Sequence, residues 1–179
     1  LDVGALSGTA YAKFPWISPC YIDLNPQNDN VIKSDFFSFP VPSEDEEKYD
    51  CVSLSLVANF EGDLVRRGEM LIHAHSYLGP RGWMYLVLPL ACVSNSRYLD
   101  HDHLRRILDA CGWSIVTQSD SKRLTRWLCQ RKQPRKGKEK EAGWDGTVFK
   151  KTELRKGPSF NNFCIRVRGA EPSVPDAQT

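Results

Sequence analysis

Short apolar runs ending in a glycine or an acid, set between stretches with helical spacing, organise the first 120 positions of the chain. Leu1-Asp2-Val3 leads into Gly4, and Tyr21-Ile22-Asp23-Leu24 and Val31-Ile32-Lys33-Ser34 read as a second and a third strand. Pro15 and Pro19 leave room for only a short helix between the first two strands, because proline lacks a backbone donor and pushes its predecessor out of helical geometry. Pro40, Pro42 and the acidic run that follows exclude a long helix over 36–48. Residues 49–56 alternate apolar and small polar side chains, a fourth strand. From 64 to 78, Leu64, Val65, Met70, Leu71, Ala74, Tyr77 and Leu78 recur at helical spacing, and Gly79-Pro80 predicts the end of the helix. The hydrophobic run 83–88 predicts a buried parallel strand. Asp100 predicts the cap of a helix burying Leu104, Ile107, Leu108 and Cys111, with Gly112 as its exit and a sixth strand at 113–118.

Beyond residue 120 the pattern changes. Segments 124–129 and 163–167 both alternate with charged residues, which predicts antiparallel strands added at one sheet edge. Together these elements predict an α/β fold, a mostly parallel sheet closed by an antiparallel terminal hairpin. The expected domain is 1–168, with a mobile basic insert over 131–160 and a disordered tail over 169–179. Because the chain starts inside a strand motif, we expect part of the protein to lie upstream of Leu1. No run of about 18 apolar residues reads as a membrane span.

Charge sharpens the picture. The net charge is only +2, yet thirteen Lys or Arg stand against four Asp or Glu from Lys122 to Lys156, leaving −7 for the rest. Such concentration suits contact with a polyanion, and Arg131, Lys132, Arg135 and Lys136 are the candidate phosphate ligands. The six cysteines are scattered without a Cys-x-x-Cys pair, and His73/His75 and His101/His103 have poor spacing for one helix face, so no metal site is expected.

The candidate chemistry lies at the strand ends. A glycine turn after the first strand lets backbone approach a ligand, and an acid nineteen positions after Gly4, Asp23, can accept hydrogen bonds from a ribose diol. Asp35 and Phe36, after the third strand, could meet an adenine. The antiparallel addition departs from the wholly parallel sheet usual for nicotinamide enzymes and favours a methyl donor.

Asp2-Val3-Gly4, Ile22-Asp23-Leu24, Ser34-Asp35-Phe36, the run Val52 to Phe60, Arg67-Gly68-Glu69-Met70-Leu71 and Leu86-Val87-Leu88-Pro89-Leu90 with Asn95-Ser96-Arg97-Tyr98 resemble one family. It is the fungal large-subunit (25S) ribosomal RNA adenine-N1 methyltransferase family, whose animal relatives include an S-adenosylmethionine sensor of nutrient signalling. The resemblance implies a class I S-adenosylmethionine-dependent methyltransferase fold with S-adenosyl-L-methionine as cofactor. Gly4 would meet its methionine part, Asp23 its ribose, and Asp35 and Phe36 its adenine, with Ser53 lining the pocket. Asn59, ending the fourth strand, would accept a hydrogen bond from the target adenine's amino group. Asn95, Arg97 and Tyr98 would meet substrate, Tyr98 by stacking and Arg97 through a phosphate, although Arg97 could equally pair with Asp100 or Asp102. The implied partner is large-subunit rRNA or a pre-ribosomal particle in the nucleus or nucleolus; the alternative is a sensor acting on a protein partner.

Overall fold

The computed structural model describes residues 1–133 and 143–168. Seven strands form one sheet: β1 (Asp2–Val3), β2 (Tyr21–Asp23), β3 (Ile32–Lys33), β4 (Tyr49–Ser55), β5 (Leu78–Pro89), β6 (Trp113–Asp120) and β7 (Leu124–Arg131). Their order is β3-β2-β1-β4-β5-β7-β6. The first five run parallel, whereas β7 is inserted antiparallel between β5 and β6. Three helices accompany the sheet, α1 (Leu64–His73), the short α2 (Ala91–Ser94) and α3 (His101–Ala110).

Local chemistry accounts for the helix ends. Asp63 caps α1 by accepting from the Val65 N–H at 2.7 Å, and Asp100 caps α3 by accepting from the His103 N–H at 2.7 Å. Leu104, Ile107, Leu108 and Cys111 are all buried, as their spacing predicts, and Gly112 leaves the helix with a φ of +86°. Trp113, fully buried, then ties β6 to α1 by donating from its indole Nε1 to the Leu71 carbonyl at 2.9 Å.

Three expectations are corrected. No helix joins β1 to β2; turns carry the chain there, past Pro15 and Pro19. The 64–78 helix stops at His73 and tightens into a 3₁₀ turn over Ala74–Tyr77, and β5 already begins at Leu78 and runs through Gly79-Pro80. The partner of β7 in the hairpin is β6, not 163–167. That segment instead crosses α1 outside the sheet, where the Arg166 N–H donates to the Leu64 carbonyl at 2.8 Å and a Cβ on Gly68 would stand 2.1 Å from the Arg166 oxygen. Only glycine admits this crossing.

Of the expected basic insert, 131–133 and 143–160 are described, and the second stretch is docked on the fold. The Arg155 guanidinium donates to the carbonyls of Val93 and Ser96 at the end of α2, the latter at 2.8 Å, and Phe149 bridges to Val167. Residues 134–142 of the insert and the tail 169–179 lie outside the described residues.

His75 is 7% exposed, stacked 3.9 Å from Trp113, with Nε2 donating to the Cys111 carbonyl at 2.8 Å. Burial pushes its pKa down from 6.5 to about 4. The unfolded chain therefore takes up a proton below pH 6.5 that the folded protein refuses. Stability is complete above pH 6.5 and falls by as much as about 3 kcal/mol towards pH 4. Thermal melts between pH 7 and 4.5 should show a fall in Tm that His75→Phe reduces; an unchanged pH slope in the variant would exclude this source.

Candidate functional site

The carboxyl ends of β1 and β2, the segment after β3 and the turn after β4 enclose a cavity of about 390 Å³. It lies where strand order reverses, β1 having β2 on one side and β4 on the other, the place where open α/β sheets bind ligands. Two turns shape it. Gly4 has a φ of +72°, and a Cβ there would stand 2.7 Å from Val57 Cγ2. Leu6 and Leu56, both lining the cavity, are the non-glycine residues with positive φ among the described residues, at +50° and +60°. Left-handed backbone costs a leucine on the order of 1–2 kcal/mol. Hydrogen bonds hold it: the Leu6 N–H donates to Asp23 Oδ2 at 2.9 Å and the Leu56 N–H to the Val87 carbonyl at 3.0 Å.

Three carboxylates line the cavity. Asp23 accepts from the N–H groups of Leu6 and Asn25 (2.7 Å), one on each oxygen, which fixes its orientation at the end of β2. Asp35 accepts the Phe37 N–H on Oδ1 at 2.8 Å and the Arg66 guanidinium on Oδ2 at 3.2 Å. Glu61 accepts the Asp63 N–H at 2.8 Å and Arg66 Nε at 3.0 Å. These contacts, the backbone N–H foremost, hold the Glu61 carboxyl below its usual range. Behind the cavity the Tyr77 hydroxyl reaches the Phe36 and Phe39 carbonyls at 2.9 and 2.7 Å, anchoring the loop that carries Asp35.

Of the residues singled out in the sequence, Gly4, Asp23, Asp35 and Phe36 line this cavity. Phe36 is nevertheless 4% exposed, packed on Tyr77 at 5.3 Å and His73 at 5.0 Å, so most of its ring belongs to the core. Ser53 does not line it. It sits two residues before the end of β4, in register with Asp2, whose carboxyl burial holds above its usual range. Asn59 stands between the lining residues Val57 and Phe60 without itself lining the cavity, and its Oδ1 is buried with no partner among the described residues.

Asn95, Arg97 and Tyr98 serve the C-terminal segment. Asn95 Nδ2 donates to the Ser159 carbonyl at 3.2 Å, and Arg97 to Asn162 Oδ1 at 2.5 Å and the Gly157 carbonyl at 2.8 Å. The carboxylate nearest Arg97 is Glu153 at 4.0 Å, not Asp100 or Asp102. Lys151 places its ammonium 4.5 Å from the Tyr98 ring centroid, so that ring already carries one partner. Arg131 donates to the Leu78 carbonyl at 2.6 Å, and Lys132 pairs with Asp109 at 2.6 Å, so both side chains face the fold rather than a phosphate. Arg135 and Lys136 lie outside the described residues.

Sequence reasoning missed Arg66, Glu61, Phe37 and the 83% exposed Phe60, all lining the cavity. Arg66 lies on the first turn of a helix, where a charged residue has no pattern to distinguish it from a solvated face. Acceptors on successive strand ends, apolar walls from Ile22, Leu24 and Met70, and close backbone approach at Gly4 together match an adenosine.

Fold and site define a class I S-adenosylmethionine-dependent methyltransferase architecture. A Burkholderia thailandensis 1,6-didemethyltoxoflavin-N1-methyltransferase, solved with 1,6-didemethyltoxoflavin and S-adenosylhomocysteine bound, superposes with a TM-score of 0.58 at 14% identity, covering 74% of this chain and 70% of its own. An Archaeoglobus fulgidus SAM-dependent methyltransferase does so at 0.53 and 16%, covering 73% and 84%. The chain belongs to the Bmt2 family, 25S rRNA (adenine(2142)-N(1))-methyltransferase, whose model matches residues 1–165. It is 34% identical over 148 residues to the 25S rRNA (adenine(2142)-N(1))-methyltransferase of Saccharomyces cerevisiae, and 31% over 150 residues to the 25S rRNA adenine-N(1) methyltransferase of Schizosaccharomyces pombe. Each match takes in 80% of this chain but only 40% and 51% of those proteins, so the chain spans about half of their length or less.

Gly4→Ala meets both the Val57 clash and the positive φ. Calorimetric titration with S-adenosylhomocysteine should show affinity reduced at least tenfold, with a loss of Tm of a few degrees. Unchanged affinity would remove Gly4 from the site.

Proposed function

We propose that the protein is an S-adenosylmethionine-dependent methyltransferase acting on N1 of an adenine in large-subunit rRNA, with the nucleolus as its place of action. The observation that carries this reading is the cavity at the strand-order reversal, with Gly4, Asp23 and Asp35 on its wall in a chain of this family. The net +9 between Lys122 and Lys156 supports a polyanionic substrate.

When bound, S-adenosylmethionine supplies an electrophilic methyl group. The nucleophile, adenine N1, owns a lone pair, so no side chain need take a proton before attack. The protein's task is to hold N1 in line with the methyl, a positioning effect worth several kcal/mol. In this reading Asp23 and Asp35 fix the cofactor's nucleoside from the far side of β1, leaving the β4 end to face the substrate. Phe60 offers a bare ring at that end, suited to an unstacked base. Asn59, between the lining residues Val57 and Phe60, carries a buried Oδ1 with no partner among the described residues, and in this reading a shift of that turn on substrate binding brings it to the exocyclic amino group of the target while positive charge develops on the ring.

The test is methyl transfer from labelled cofactor to unmodified large-subunit RNA by the full-length protein, followed by mapping of the modified nucleoside. N1-methyladenosine is the expected product. Tight cofactor binding without transfer would leave a sensor, not an enzyme. In the same assay Asn59→Ala should lower kcat about 10²-fold with cofactor affinity changed less than twofold; parallel loss of both would make Asn59 structural.

Replacing Arg135, Lys136 and Lys138 by Ala should weaken RNA binding and flatten its dependence on salt, each lost phosphate contact reducing the log–log slope by about 0.7–0.9. An unaltered slope would place RNA contact elsewhere.

A further inference from the structure

The Arg66 guanidinium is held in a way that ordinary ion pairing does not require. Its Nε–H donates to Glu61 Oε2 at 3.0 Å and a terminal N–H to Asp35 Oδ2 at 3.2 Å. All guanidinium N–H bonds lie in the plane of the group, so two carboxylates on different edges fix the orientation of that plane. One of its faces lies over the Phe37 ring, 4.3 Å from the centroid, and Phe37 in turn stacks on His73 at 5.3 Å with 23° between the rings. The edges and one face are therefore occupied. The side chain nevertheless remains 40% exposed and lines the cavity.

We propose that the second face of Arg66 is the surface on which the adenine ring of the bound nucleoside stacks, an inference that rests on the cofactor reading above and names its base-recognition element. Planar guanidinium groups stack well on aromatic rings, and purines are favourable partners. Phe36, the ring expected in this role, stacks on Tyr77, meets His73 in an edge contact and is 4% exposed, so it offers the cavity little free face. Phe37 carries the Arg66 guanidinium over its ring and stacks with His73. The column His73, Phe37, Arg66 thus ends in one flat group at the cavity, with Asp35 at its edge to accept from an amino group. Two acids outweigh the one cation, so the guanidinium offers a flat surface for a ring without presenting a positive charge to a sulfonium ligand. Arg66 acts here as a binding residue and not as a proton donor.

The experiment compares two ligands by calorimetry on the full-length protein: S-adenosylhomocysteine, and S-ribosylhomocysteine, which keeps thioether and sugar but lacks the base. Arg66→Lys keeps the charge between Asp35 and Glu61 and removes the plane. It should weaken S-adenosylhomocysteine by about tenfold and leave S-ribosylhomocysteine within twofold. Arg66→Gln, which retains a small planar amide, should recover part of the preference for the base. Equal weakening of both ligands in both variants, or no change in either, would overturn the inference while leaving the cofactor reading intact. Wild-type protein that takes up no S-adenosylhomocysteine would overturn both.

Discussion

The closeness of Gly4 to Val57 governs the site. Two parallel strands, β1 and β4, end side by side, and each must turn sharply away so that a ligand can sit over the gap. A Cβ at position 4 would stand 2.7 Å from the Val57 Cγ2 methyl on the second turn, and the φ of +72° there also favours glycine. Leu6 and Leu56, on the same two turns, stand in left-handed backbone, and the Asp23 carboxylate is the hydrogen-bond acceptor that holds the first of them. Asp23 thus has two duties, pinning backbone N–H groups through one lone pair on each oxygen and offering the remaining lone pairs to the cavity. The ligand site and the strain of the scaffold are one piece of geometry.

What could be read from the residues follows the reach of local rules. Strand ends at Gly4 and Asp23, the cap at Asp100 and the buried face of α3 each depend on neighbours within a few positions, and each stands where spacing put it. The failures are long-range. Alternation identified 163–167 as strand-like, but nothing local says that Gly68, 98 positions earlier by register with Arg166, opens a slot on α1 for it to cross. Arg131 and Lys132 read as phosphate ligands, and Arg97 as a phosphate ligand or a partner of Asp100 or Asp102, because sequence does not show that carbonyls at 78, 109 and 157 face them. Ser53 lay one turn of the pleat too far from the strand end. Arg66 and Glu61 escaped notice because a charged helix start is commonplace until tertiary packing brings Asp35 beside it.

The C-terminal segment is as much a part of the scaffold as the helices. Arg67, 8% exposed, donates to the carbonyls of Glu61 and Cys164 and lies 4.3 Å from the Phe163 ring centroid. Through this one side chain the wall of the cavity and residues near the end of the chain share a fixed spacing. Arg155 does the same for the end of α2, so arginines in a basic stretch are here internal fasteners before they are surface charge.

The insertion of β7 between β5 and β6 has a consequence for biogenesis. As the nascent chain emerges, β5 completes its parallel ladder with β4 while its other edge stays bare, and β6, though next in sequence, pairs only with β7. Nearly three dozen further residues must be synthesised before the hairpin can zip into that edge. A chain interrupted anywhere in the interval carries an apolar, unpaired strand, the species that chaperones hold and that self-associates when they do not.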